Sequence, residues 1–91
     1  MDKSCKYKAL VAEDDPFQRL SIADILNMSN YEVTSVENGA QALDELDNCN
    51  NKFDLVLCDL LMPEKTGKDV LEAMMQDPRL RTIPVVVMSA K

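Results

Sequence analysis

Histidine is absent from the sequence, and cysteine occurs only three times, at Cys5, Cys49 and Cys58. An odd number of widely spaced cysteines does not suit a disulfide framework, and without imidazole a zinc site would need an unusual ligand set. Free thiols in a reducing compartment are the expectation, which places the chain in the cytoplasm, or in the nucleus of a eukaryote. Positive charge is also scarce: 10 Lys and Arg stand against 16 Asp and Glu, for a net charge of −6. That balance argues against nucleic acid or an anionic membrane as a direct partner, and suits a cation or a basic patch on another protein. No apolar run approaches the roughly 20 residues needed to span a bilayer. The opening Met1-Asp-Lys-Ser-Cys-Lys-Tyr-Lys8 lacks the apolar core of a signal peptide. Repeats, low-complexity tracts and linkers are missing too, so one domain is expected over residues 1–91.

What remains is 46% apolar, enough for a small packed core. Tyr7–Ala12 reads as a first strand. Asp15 then reads as a helix N-cap, with Pro16 at the first helical position and Gln18 placed as in a capping box. Leu20, Ile22, Ala23, Ile25 and Leu26 carry helical periodicity, leaving Arg19, Ser21 and Asp24 facing out, and Asn27–Asn30 ends the helix. Glu32–Val36 alternates polar and apolar residues, as an edge-near strand does. Asn38-Gly39 turns into a second helix, Ala40 to about Asn48, with Ala42, Leu43 and Leu46 inward. The run Asp54–Cys58 reads as a strand buried on both faces. A third helix spans about Gly67–Gln76 with Val70, Leu71, Met74 and Met75 inward, and Ile83–Met88 forms a fourth strand. The methionines 28, 74, 75 and 88 read as core filling. Strands alternating with helices imply an α/β fold with a parallel sheet and right-handed crossovers.

The ends of strands one, three and four carry Glu13-Asp14, Asp59 and Ser89. If these strands are neighbours, the residues share the carboxyl edge of the sheet, where open α/β sheets bind ligands. Three carboxylates in one cleft repel one another unless a cation is present. Oxygen-only ligands select Mg²⁺, with Mn²⁺ or Ca²⁺ as substitutes. A nucleophilic carboxylate, a metal and a hydroxyl donor together describe phosphoryl transfer to a carboxylate.

Glu13-Asp14, the run Asp59-Leu-Leu-Met-Pro63 with Gly67 beyond it, and Ser89 together resemble the receiver domain of two-component response regulators. The resemblance covers essentially the whole chain. It implies a flavodoxin-like three-layer (βα) repeat with strand order 2-1-3-4. It implies that Asp59 accepts a phosphoryl group from a histidine kinase or histidine phosphotransfer protein. Mg²⁺ would be held by Asp14, Asp59 and the backbone carbonyl of Leu61, with Glu13 acting through water. Ser89 would be the switch hydroxyl, followed by the small Ala90. Pro63 and Gly67 would shape the loop, Asp15 would cap a helix, Asp54 would be solvated at the opposite end of the sheet, and Cys58 would point into the core.

The family pattern continues past Lys91 with a helix, a fifth strand bearing a phosphoryl-binding lysine, and a last helix. Lys91 is on the wrong element to replace that lysine. Without those elements the fourth strand and an apolar stripe including Ile22 and Ile25 are expected to be uncovered. Either further chain covers them, or a homodimer does so through the fourth strand or the first helix. Two other readings compete: an interaction module that no longer uses the site, and a flavodoxin-like enzyme that binds a nucleotide or flavin. The latter wants a Gly- or Ser/Thr-rich phosphate loop after the first strand, where this chain has Glu13-Asp-Asp-Pro16.

Overall fold

The computed structural model describes residues 7–48, 52–59 and 67–88. The elements alternate: β1 (Tyr7–Ala12), α1 (Pro16–Met28), β2 (Tyr31–Val36), α2 (Gly39–Asp47), β3 (Leu55–Asp59), α3 (Gly67–Met75) and β4 (Val85–Met88). The four strands form one parallel sheet in the order β2-β1-β3-β4. From β1 the chain crosses outward to β2 through α1, then returns past β1 to β3 through α2, and moves on to β4 through α3. Right-handed crossovers therefore place α1 on one face and α2 with α3 on the other. The packing agrees: α1 lies on β1 and β2, α2 lies against β1, β2 and α3, and α3 meets β3 and β4.

The core sits between the sheet and the α2/α3 layer. Leu10, Ala12, Val36, Val56 and Cys58 from the strands meet Ala42, Leu46, Val70 and Met74 from the helices, with Phe53 just ahead of β3. Each large apolar side chain buried there contributes about 1.5–3 kcal/mol relative to exposure. On the opposite face Ala9 and Val11 are buried, but α1 itself has no fully buried residue. Phe17 is 82% exposed and Met28 87%, and Leu20 and Ile25 also lie largely in solvent. The expected uncovered stripe is therefore present on α1 at Ile25, while Ile22 is half-buried. Val86 on the edge strand β4 is exposed as well.

Two of the methionines expected in the core, Met28 and Met75, are on the surface, and only Met74 is buried there; the side chain of Met88 lies outside the description. Periodicity put Met74 and Met75 together on one face, but adjacent helical residues are 100° apart and only Met74 reaches the sheet. Asp15 caps α1 as expected, its Oδ1 accepting from the Phe17 N–H at 2.9 Å. Its own N–H donates to Glu13 Oε2 at 3.2 Å, so Gln18 does not complete a capping box. Asn38 caps α2 by accepting from the Gln41 N–H at 2.8 Å. Asn30, at φ 71°, takes the left-handed position just past the end of α1, a conformation asparagine tolerates.

Asp54 departs from its expected role as a merely solvated residue. Its Oδ2 accepts from the Lys8 N–H at 2.8 Å, and its N–H donates to the Lys8 carbonyl at 2.7 Å. The side chain thus closes the amino end of the β1–β3 ladder, where a backbone N–H would otherwise lack a strand partner.

Candidate metal centre

Strand order decides the site. Because β1 lies between β2 and β3, the residue that follows β1 emerges inside the sheet edge. The pairing of Ala12 with Cys58 puts Glu13 beside Asp59. Both carboxylates are fully buried, while Asp14, one residue on, is exposed. Glu13, Asp14 and Asp59 each bring a carboxylate oxygen to within 4.8 Å of the others.

Glu13 is held from three directions. Its N–H donates to the Val36 carbonyl at 3.1 Å, its own carbonyl accepts from Arg19 Nη1 at 2.8 Å, and its Oε2 accepts from the Asp15 N–H. The remaining atom, Oε1, is buried with no hydrogen-bond partner among the described residues. A buried carboxylate oxygen left this way costs free energy unless a proton or a cation meets it. The Glu13 pKa is accordingly raised above its ordinary 4.5, first by burial and then by the adjacent Asp59 and Asp14, with the Asp15 N–H acting in the other direction. The donor set is all oxygen and partly solvent-facing, which fits a hard divalent cation such as Mg²⁺.

The structure thus brings together the expected Glu13, Asp14 and Asp59. Leu61 and Ser89, together with Pro63, Ala90 and Lys91, lie outside the described residues. Cys58 faces the α2/α3 core as expected. Burial, and then the charge of Asp59, push its thiol up to about 12, so at neutral pH it is a protonated core side chain rather than a nucleophile. Sequence reading turned Arg19 outward and missed its bond to the Glu13 carbonyl. The available signal was a long cation one turn inside a helix that starts from an acidic turn.

A groove of about 330 Å³ lined by Leu46, Phe53, Leu80 and Ile83, with Lys52 and Arg79 at its polar side, opens at the opposite end of the sheet. It contains none of the clustered carboxylates and is separate from the candidate centre.

A parallel α/β sheet in the order β2-β1-β3-β4 with an acidic oxygen cluster at the carboxyl ends of its two central strands defines a flavodoxin-like fold with a candidate cation site at its ligand-binding edge. The sequence profile of the response regulator receiver domain matches residues 9–91, and the chain belongs to that family, the receivers of two-component signalling. It is 42% identical over 84 residues to the 3′,5′-cyclic-nucleotide phosphodiesterase regA of Dictyostelium discoideum, covering 92% of this chain and 11% of that protein. It is 37% identical over 82 residues to the two-component response regulator ORR5 of Oryza sativa subsp. japonica, covering 90% of this chain and 60% of that one. Among solved structures it is similar to the signal receiver domain of a signal transduction histidine kinase from Syntrophus aciditrophicus. There the TM-score is 0.86 at 33% identity, covering 93% of this chain and 63% of that chain. The chain therefore spans less than two thirds of the length of each of these relatives.

Proposed function

We propose that this receiver domain is a phosphoacceptor switch in which Asp59 takes a phosphoryl group from the phosphohistidine of a histidine kinase or histidine phosphotransfer protein. The observation that carries the reading is the buried Asp59 with a carboxylate oxygen within 4.8 Å of those of Glu13 and Asp14 at the sheet edge, next to a Glu13 oxygen with no hydrogen-bond partner among the described residues. An Asp59 carboxylate oxygen forms the new bond to phosphorus as the phosphorus–nitrogen bond breaks, and the leaving imidazole takes up a proton. Asp14 and Asp59, with the Leu61 carbonyl, would hold Mg²⁺ directly, and Glu13 would act through water. When bound, Mg²⁺ supplies charge neutralisation for the cluster and the phosphoryl oxygens. Ser89 would donate its hydroxyl to a phosphoryl oxygen and so convert the chemical event into a change of shape.

The same reading makes the domain a signalling acceptor that phosphorylates and dephosphorylates itself, rather than an enzyme acting on a separate small molecule. It has no direct nucleic-acid contact and works in the cytoplasm, or in the nucleus of a eukaryote. Among the described residues no helix is long and apolar enough to cross a membrane. Self-association through β4 or α1 belongs to the proposal, and light scattering that finds only folded monomer at high concentration removes that part.

The test is mass spectrometry after incubation with acetyl phosphate and Mg²⁺, beside an Asp59→Asn control. A single phosphoryl adduct that requires Mg²⁺ and disappears in the control is expected. Absence of an adduct in chain that is folded and binds Mg²⁺ would overturn the reading in favour of a phosphorylation-independent interaction module.

A further inference from the structure

Arg19 occupies the first turn of α1, within four residues of the N-cap Asp15. A cation there faces the positive end of the helix dipole and weakens the helix rather than supporting it. No carboxylate among the described residues lies within ion-pair distance of it, the ion pairs there being those of Arg79. Its guanidinium donates instead to the Glu13 carbonyl, at 2.8 Å from Nη1. That carbonyl belongs to the peptide joining Glu13 to Asp14, the two adjacent carboxylates of the cluster. Fixing this peptide plane sets the direction in which Asp14 leaves the sheet and the depth at which Glu13 sits.

We propose that Arg19 is a positioning residue for the divalent-cation centre: its guanidinium holds the Glu13–Asp14 peptide so that the two carboxylates converge with Asp59. This inference rests on the cation-dependent phosphoacceptor reading above, and adds to it a residue that touches neither metal nor phosphoryl group. The sign of its effect separates positioning from simple electrostatics. A neighbouring positive charge repels Mg²⁺, so by charge alone its removal would tighten Mg²⁺ binding. Loss of positioning does the opposite.

The experiment measures Mg²⁺ affinity by isothermal titration calorimetry for the wild-type chain, Arg19→Met and Arg19→Lys, with circular dichroism to establish folding. Acetyl phosphate uptake is then followed at limiting and at saturating Mg²⁺. Loss of one charge-assisted hydrogen bond should raise the Mg²⁺ dissociation constant of Arg19→Met about three- to tenfold. It should slow phosphoryl uptake at limiting Mg²⁺ and leave the rate near wild type at saturation, a split that a general loss of stability does not produce. Arg19→Lys keeps the charge one bond short of the carbonyl, and should fall between the two. Unchanged or tighter Mg²⁺ binding in Arg19→Met overturns the inference. If that variant does not fold, wild-type affinity in Arg19→Lys overturns it and weaker affinity supports it. A wild-type chain that is folded but binds no Mg²⁺ removes the phosphoacceptor reading and this inference together, whereas failure of the Arg19 variants alone leaves that reading standing.

Discussion

Replacing Asp59 by Asn should make the metal-free domain more stable while removing its response to Mg²⁺. The side chains of Glu13 and Asp59 are both fully buried, and with Asp14 they hold oxygens within 4.8 Å of one another. Two unit charges at that separation repel by about 3.5 kcal/mol at an effective dielectric constant of about 20. Solvent at the exposed Asp14 and local relaxation relieve part of this, and the raised Glu13 pKa acts in the same direction. A net gain of about 1–2 kcal/mol for Asp59→Asn at neutral pH in EDTA is the expected remainder, equivalent to a rise in Tm of roughly 4–15 °C for a domain of this size. The pH dependence follows with a definite sign. A carboxyl whose folded-state pKa is raised contributes stability that is present below its unfolded pKa and is lost as pH rises through the folded value. Metal-free wild type should therefore gain stability as pH falls from neutrality toward the ordinary Glu13 value of 4.5, and its difference from Asp59→Asn should narrow. Mg²⁺ should stabilise the wild type at pH 7 in proportion to RT ln(1 + [Mg²⁺]/Kd) and leave the variant nearly unchanged. Urea and thermal unfolding followed by circular dichroism, in EDTA and in Mg²⁺ at pH 5 and 7, measures all four quantities. An Asp59→Asn chain no more stable than wild type in EDTA at pH 7 would refute the claim that these carboxylates repel in the folded state.

The neighbouring methionines of α3 should behave oppositely. Met74→Ala empties a buried position and should cost about 2–5 kcal/mol, whereas Met75→Ala, at an exposed one, should stay within about 0.5 kcal/mol of wild type in urea titrations. With its thiol pushed up to about 12, Cys58 should resist alkylation by iodoacetamide at pH 8 in the folded chain and react once urea unfolds it, as peptide mapping would show. Rapid modification of Cys58 in the folded chain would contradict its placement in the core.

Much of the architecture was legible along the chain. The alternation of apolar runs with capped amphipathic stretches is a local property, so the β-α order, the Asp15 cap and the position of Asp59 at a strand end could be read directly. Which apolar residues are buried was less legible. Helical spacing placed Leu20 and Ile25 with Ile22, yet α1 packs on β1 and β2 and leaves Leu20 and Ile25 largely in solvent among the described residues. Asp54 gave no sign of its role, because Lys8, its partner, is 46 positions away and becomes a neighbour only through β1–β3 pairing.

The residues themselves determined a parallel α/β receiver domain, with carboxylates at two strand ends and a preference for a hard cation, since those follow from residue type and local spacing. Tertiary structure alone decided that the Glu13 and Asp59 carboxylates are fully buried where they meet while Asp14 stays exposed, and that Arg19 turns back onto the Glu13 carbonyl. The physical reason is the strand order: with β1 enclosed between β2 and β3, its last residues enter the interior of the sheet edge, and no local pattern records which strands will lie on either side.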